Sequence, residues 1–184
     1  SHVVLRRNPS YWNNVATKLE EVHFLHSADA GTELRQYRAG QLDVTYVVPA
    51  PQFQWIKQNL PGELHVAPQL SVYYYGFNVT RPPFKDNPGL RRALSMAIDR
   101  DYLAEKVWQN TMLPAYSFVP PGISGYETKT TDYAEKSQID REDEAKKILT
   151  ELGYGPDKPL KMEIRYNTSE NHKNTAVAIQ EQLK

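Results

Sequence analysis

LSVYYYGFNVTRPPFKDNPGLRRALSMAIDRD, residues 70–101, passes from a tyrosine-rich strand pattern through a proline turn into an amphipathic helix. Side chains alternate faces along a strand, so Tyr73, Tyr75 and Phe77 share one side. Val72, Tyr74, Gly76 and Asn78 share the other. A strand with aromatic residues on both faces reads as central and covered on both sides. Burial with locally satisfied hydroxyls is the plain expectation for each tyrosine. The sharper one is a ligand wall on one face. Gly76 favours the wall, because a glycine inside a strand marks close approach of a ligand or another backbone.

Working outward, Pro88 or Gly89 opens the helix LRRALSMAID, and Asp99 or Asp101 caps a second helix, YLAEKVWQN. Upstream, Lys18–His26 nearly alternates and predicts a strand, with Val3–Leu5 as a second strand end. Asn8–Trp12 reads as a turn. Ser27 or Asp29 caps a helix to Arg38, and Gly40 stops it. Leu42–Val48 predicts a short strand, and Pro51 opens a helix to Asn59 with Phe53, Ile56 and Leu60 as its apolar stripe. Leu64–Val79 is read as extended and broken at Pro68. Downstream, Met112–Lys136 is a long Pro/Gly/Tyr-rich loop, the kind that is usually functional or mobile. Asp140 caps the helix REDEAKKILTEL, and Gly153 ends it. Leu160–Tyr166 predicts a strand, followed by a helix from Ser169. The intermixing implies an α/β (mixed α+β) fold, a mixed sheet flanked by helices.

The 184 residues carry 22 basic and 22 acidic side chains. That balance argues against nucleic-acid or membrane-surface binding driven by bulk charge. No apolar run approaches the ~20 residues of a membrane span. The absence of cysteine excludes disulfides and thiolate metal sites. Ser1–Arg7 lacks the apolar core of a signal peptide. The final helix pattern, NTAVAIQEQLK, has no stop signal, which suggests a piece of a longer protein.

Catalytic patterns are weak. Gly153-Tyr154-Gly155-Pro156-Asp157-Lys158 lacks the P-loop spacing and its Lys-Ser/Thr pair. His23 and His26 fall on opposite faces of a strand, which argues against a shared metal. Ser169 and His172 have no nucleophile elbow around them. The Arg141–Glu151 carboxylates alternate with bases and read as a solvated face. His172 carries more weight. With Lys173 it opens a helix, and helix-start N–H groups beside them can receive a carboxylate. An ordinary N-terminus capped by Ser169 is the competing reading.

Four ordered segments carry a family resemblance. They are Asn8-Pro9-Ser10-Tyr11-Trp12-Asn13-Asn14 and Tyr37-Arg38-Ala39-Gly40-Gln41-Leu42-Asp43-Val44. The third is Tyr73-Tyr74-Tyr75 with Pro82-Pro83-Phe84, Arg92-Ala93-Leu94 and Ile98-Asp99-Arg100. The fourth is Tyr166-Asn167-Thr168-Ser169 with His172-Lys173. The chain resembles the family 5 extracellular solute-binding proteins of bacterial ABC importers, in the periplasmic oligopeptide- and murein-peptide-binding branch. Each motif is weak alone; the ordered set is specific.

The resemblance implies one lobe of a two-lobed, class II periplasmic-binding-protein fold. Residues 1–184 would be part of the C-terminal ligand-binding lobe, truncated at its C-terminal end and lacking the partner N-terminal lobe. It also implies a periplasmic, Gram-negative setting, a peptide ligand and an inner-membrane ABC permease as partner. No catalysis, cofactor, metal, nucleic acid or membrane insertion is implied. Tyr74 falls where such proteins use a tyrosine in the cleft wall. Gly76 stands where they carry an acid lining a side-chain pocket, and Ser71 where they carry a disulfide cysteine. Trp108 stands where the general oligopeptide binder has a lysine receiving the peptide C-terminus. His172 matches a histidine that receives the C-terminus of longer peptides. The ligand-binding set is therefore Tyr74, Gly76, Trp108 and His172. The alternative is a hydrolase or transferase domain that pairs His172 with Asp157 or Glu170. A structural interaction domain is a third reading.

Overall fold

A computed structural model describes residues 2–184. The chain divides into two compact units, one ending at Pro49 and the other spanning Ala50–Lys184.

In the first unit, β1 (His2–Arg6) pairs antiparallel with β2 (Glu21–Leu25), His2 opposite Leu25 and Arg6 opposite Glu21. The turn expected at Asn8–Trp12 forms. The Asn8 side chain accepts from Ser10 N–H (2.9 Å), and Tyr11 N–H donates to the Asn8 carbonyl (3.1 Å). Helix α1 (Ala30–Arg38) starts where an acceptor is available: Asp29 Oδ1 receives Thr32 N–H at 2.7 Å. The Thr32 hydrogen bonds hold the Asp29 carboxyl below its ordinary range. Gly40 then adopts φ 71°, the left-handed turn that a Cβ disfavours.

The second unit is built around helices. α2 (Phe53–Asn59) buries Phe53 and Ile56, two of the three stripe residues expected. α3 (Pro88–Ala97) begins with Pro88 in its first turn, and Asn87 Oδ1 accepts Leu90 N–H at 3.1 Å. Leu90, Ala93 and Met96 have no exposed surface, and Leu94 is buried with them. α3 packs on α5 (Gln138–Glu151). Ala93, Met96, Tyr133 and Ala145 form the core there, with Ala97, Tyr116, Ile148 and Leu149 around it.

α5 starts earlier than the sequence suggests. Ser137, not Asp140, caps it, with Ser137 Oγ accepting Asp140 N–H at 3.1 Å. Asp140 lies in the first turn, where its charge meets the helix dipole. Gly153 (φ 78°) ends the helix, as read.

The 112–136 loop holds no helix or strand, yet it is anchored. Thr131 N–H donates to the Tyr116 carbonyl at 2.8 Å, and Tyr133 is buried with its hydroxyl 2.8 Å from Ser95 Oγ. Arg100 and Arg141 lie 5.0 Å from the Tyr116 ring centroid. Arg141 is 3% exposed and donates to Gln138 Oε1 and to the Lys136 carbonyl, so neutral acceptors solvate its charge.

α4 (Arg100–Tyr102), capped by Asp99, continues into a wider π-helical stretch, Leu103–Val107. The sequence placed this helix through Asn110. It ends sooner because Gln109 and Asn110 turn left-handed, at φ 52° and 60°. Trp108 thus becomes the C-terminal cap. α6 (Glu170–Gln182) closes the chain and buries Asn171, Thr175, Ala176 and Ile179.

Three expected strands, Leu42–Val48, the tyrosine segment within Leu64–Val79, and Leu160–Tyr166, join no ladder among the described residues. β-propensity expresses the fit to a neighbouring strand, and without that neighbour the backbone has no ladder to enter. The sheet component is the β1–β2 ribbon, and the elements overall remain a mixture of helices and strands.

Candidate functional site

The alternation inferred for the tyrosines survives without a ladder. Tyr73 and Tyr75 sit on one side, with the Tyr73 hydroxyl donating to the Tyr75 hydroxyl at 3.0 Å. Burial, aided by that contact, pushes the Tyr73 phenol well above its usual range, so it stays neutral.

Three rings from three parts of the second unit converge there. Tyr73 stacks on His172 with centroids 4.8 Å apart and planes 22° from parallel. Trp108 lies 5.8 Å from Tyr73 and 6.2 Å from His172. Trp108 Nε1–H donates to Thr175 Oγ1 at 3.0 Å, and Thr175 donates on to the Asn171 carbonyl at 2.8 Å. The indole is held by that chain rather than left to rotate. The π-helical stretch before it sets where the indole emerges, a use π-bulges often have at functional sites.

His172 is oriented from the other side. Its Nδ1 lies 2.7 Å from Asn167 Oδ1, which also accepts Ser169 N–H at 3.1 Å. Ser169 occupies the N-cap position of α6, but its side chain makes no capping bond; Asn167 supplies the acceptor at this turn instead. Lys173 is 3.7 Å from Glu170, both more than half exposed. His172 therefore meets an amide, and neither Asp157 nor Glu170 orients it as a catalytic base would require.

The structure brings Trp108 and His172 together and places Tyr74 and Gly76 elsewhere. Tyr74 is 62% exposed and lies edge-on to Phe118 with centroids 5.1 Å apart. Gly76 has no atom within 4 Å of an added Cβ, so no close contact explains it. Asn167, Thr175, Tyr73 and Phe118 escaped the sequence reading as site residues. Thr175 had a usable signal, since it follows His172 by three positions and shares its helix face. The Tyr73–His172 stack joins residues 99 positions apart, and no local pattern could have shown it.

An aromatic wall with a few placed polar atoms on a mixed α/β scaffold is the form of a small-ligand binding surface. The chain belongs to the bacterial extracellular solute-binding proteins, family 5; the model of that family, described as its "Middle" part, matches residues 1–184.

The chain is 41% identical over 178 residues to the periplasmic oligopeptide-binding protein OppA of Salmonella typhimurium, covering 96% of this chain and 33% of that protein. It superposes on the Escherichia coli murein tripeptide binding protein MppA with a TM-score of 0.91 at 37% identity, covering 98% of this chain and 35% of that one. Haemophilus influenzae OppA, solved in complex with RPPGFSPFR, matches with a TM-score of 0.89 at 37% identity, covering 100% of this chain and 36% of that one. The chain thus spans about a third of the length of the relatives it matches.

Proposed function

We propose that this chain is part of the C-terminal ligand-binding lobe of the substrate-binding component of an ABC importer. The whole protein would bind extended peptides in the periplasm and deliver them to an inner-membrane permease, without catalysis. The observation that carries this reading is the Tyr73–Trp108–His172 wall with its fixed polar atoms. Family membership and the peptide-binding relatives support it. Tyr74, Gly76, Trp108 and His172 would contact the ligand, with Tyr73 as the shelf under His172. Gly76 leaves open the space an acid would fill, which favours a ligand that is not cationic at that position. A second lobe would supply the opposite wall, and closure of the two would exclude water.

The test is native mass spectrometry of the full-length protein incubated with a peptide mixture. Intact peptides retained on the protein are the expected result; cleavage of the added peptides would overturn the reading.

A further inference from the structure

Thr175 is 2% exposed, so water does not compete for its hydroxyl, and both of its hydrogen bonds have a forced direction. An indole N–H can only donate, so Thr175 Oγ1 receives Trp108 Nε1–H at 3.0 Å. A carbonyl can only accept, so the one hydroxyl hydrogen goes to the Asn171 carbonyl, 2.8 Å away and one turn back on α6. The hydroxyl has no hydrogen left for a ligand, and the indole has no donor left either.

The backbone carrying Trp108 is fixed separately. Trp108 N–H donates to the Leu103 carbonyl at 2.9 Å, and Thr111 Oγ1 donates to the Trp108 carbonyl at 2.6 Å. Gln109 and Asn110 follow in left-handed conformations, which residues with a Cβ adopt at a cost. Two such residues in succession persist only where surrounding contacts over-determine them. Asn110 N–H on the Ala104 carbonyl (2.8 Å) and Gln109 Nε2 on the Lys106 carbonyl (2.9 Å) are two of those contacts. The Trp108–Thr175 bond is a third.

What Trp108 offers a ligand is therefore ring surface. It is half-buried, with Tyr73 and His172 tilted against it at 5.8 and 6.2 Å. The Tyr73 hydroxyl hydrogen is on Tyr75. A neutral polar side chain laid against Trp108 and Tyr73 would lose its water and find no donor on either ring. An aliphatic or aromatic side chain has no such loss and gains by burying area.

We propose that Thr175 is a positioning residue for Trp108, and that by taking the indole N–H it makes this part of the wall select an apolar ligand side chain over a polar one of similar size. This deepens the peptide-binding reading above and rests on it.

The probes are alanine pentapeptides carrying Leu or Asn at one position in turn, titrated by calorimetry into the full-length protein. At one position Leu should bind about tenfold more tightly than Asn, or better. Thr175→Val keeps the shape and removes the acceptor, which frees the indole N–H to donate to the Asn amide oxygen. The gap at that position should then shrink about threefold or more. Thr175→Ser keeps the hydroxyl and should restore it. In a Trp108→Phe background there is no N–H to free, and Thr175→Val should leave the gap as it was. Narrowing in both backgrounds would reduce Thr175 to a packing role and overturn the proposal.

The ligand-free protein gives an independent readout. The Trp108 indole N–H, assigned as the ¹H–¹⁵N signal lost in Trp108→Phe, should exchange slowly in the unsubstituted protein and in Thr175→Ser. In Thr175→Val it should exchange about tenfold faster or more. Equal exchange in all three would overturn the role of Thr175 whichever peptides bind. No position that prefers Leu, or an unchanged gap in Thr175→Val, would overturn the selectivity and leave the peptide reading intact. Failure of every pentapeptide to bind would overturn the peptide reading and the selectivity with it.

Discussion

The α3–α5 pair and the tyrosine segment at 70–79, which precedes α3 in the chain, are opposite in character. α3 completes its backbone hydrogen bonds within itself, takes its cap from Asn87, and buries Leu90, Ala93 and Met96 fully. The tyrosine segment has β-rich composition but no ladder partner, and Tyr73, Tyr75 and Phe77 each remain 37% exposed. What orders that segment is side-chain contact: Tyr73 on His172, Tyr74 on Phe118, Phe77 on Phe84. A helix needs only its own residues to satisfy its backbone, whereas a strand borrows that satisfaction from a neighbour. The self-sufficient region carries stability and the dependent one carries exposed aromatic surface.

Substitutions in the full-length protein can break that contrast. The largest effect belongs to the core. Met96→Ala opens a cavity between α3 and α5 and should cost about 3 kcal/mol in denaturant unfolding. A loss below about 1 kcal/mol would mean that the pair does not anchor the fold. Arg141→Met comes next, at about 1–2 kcal/mol, because the part-buried Gln138 and Lys136 oxygens lose their donor. Limited proteolysis should then cut sooner within residues 112–136, whose Tyr116 ring rests beside Arg141. The smallest effects separate the two faces of the tyrosine segment. Tyr73→Ala should cost about 1 kcal/mol and weaken peptide binding, since it removes the shelf under His172. Tyr74→Ala should change stability by less than about 0.5 kcal/mol while still weakening peptide binding. Unaltered binding in the Tyr74 variant would remove that residue from the ligand wall.

The helices were legible because their signals are local. Asp29, Pro88, Asp99, Gly40 and Gly153 each stand where the structure uses them. The errors at helix ends also have local causes. Ser137 outcompeted Asp140 as the cap of α5, and two left-handed residues cut α4 short before Asn110. Strands were less legible. Leu42–Val48 and Leu160–Tyr166 have suitable composition, but pairing is a property of two segments and one segment cannot reveal it. Within the candidate site, Trp108 and His172 stood out from the resemblance, while their partners Tyr73, Thr175 and Asn167 did not. Asn167 was hidden because its role depends on one oxygen serving two donors in a turn.

The sequence alone determined the helical frame, the neutral charge balance, the family and the alternation of the tyrosines. Each depends on residue type and short spacing, which survive without three-dimensional context. The tertiary structure alone decided which face of the tyrosine segment meets His172 and Trp108, that His172 Nδ1 faces Asn167, and that Arg141 is held by neutral acceptors. These depend on distances between residues far apart in the chain. Such distances are set by packing the helices against one another, and no stretch of sequence contains them.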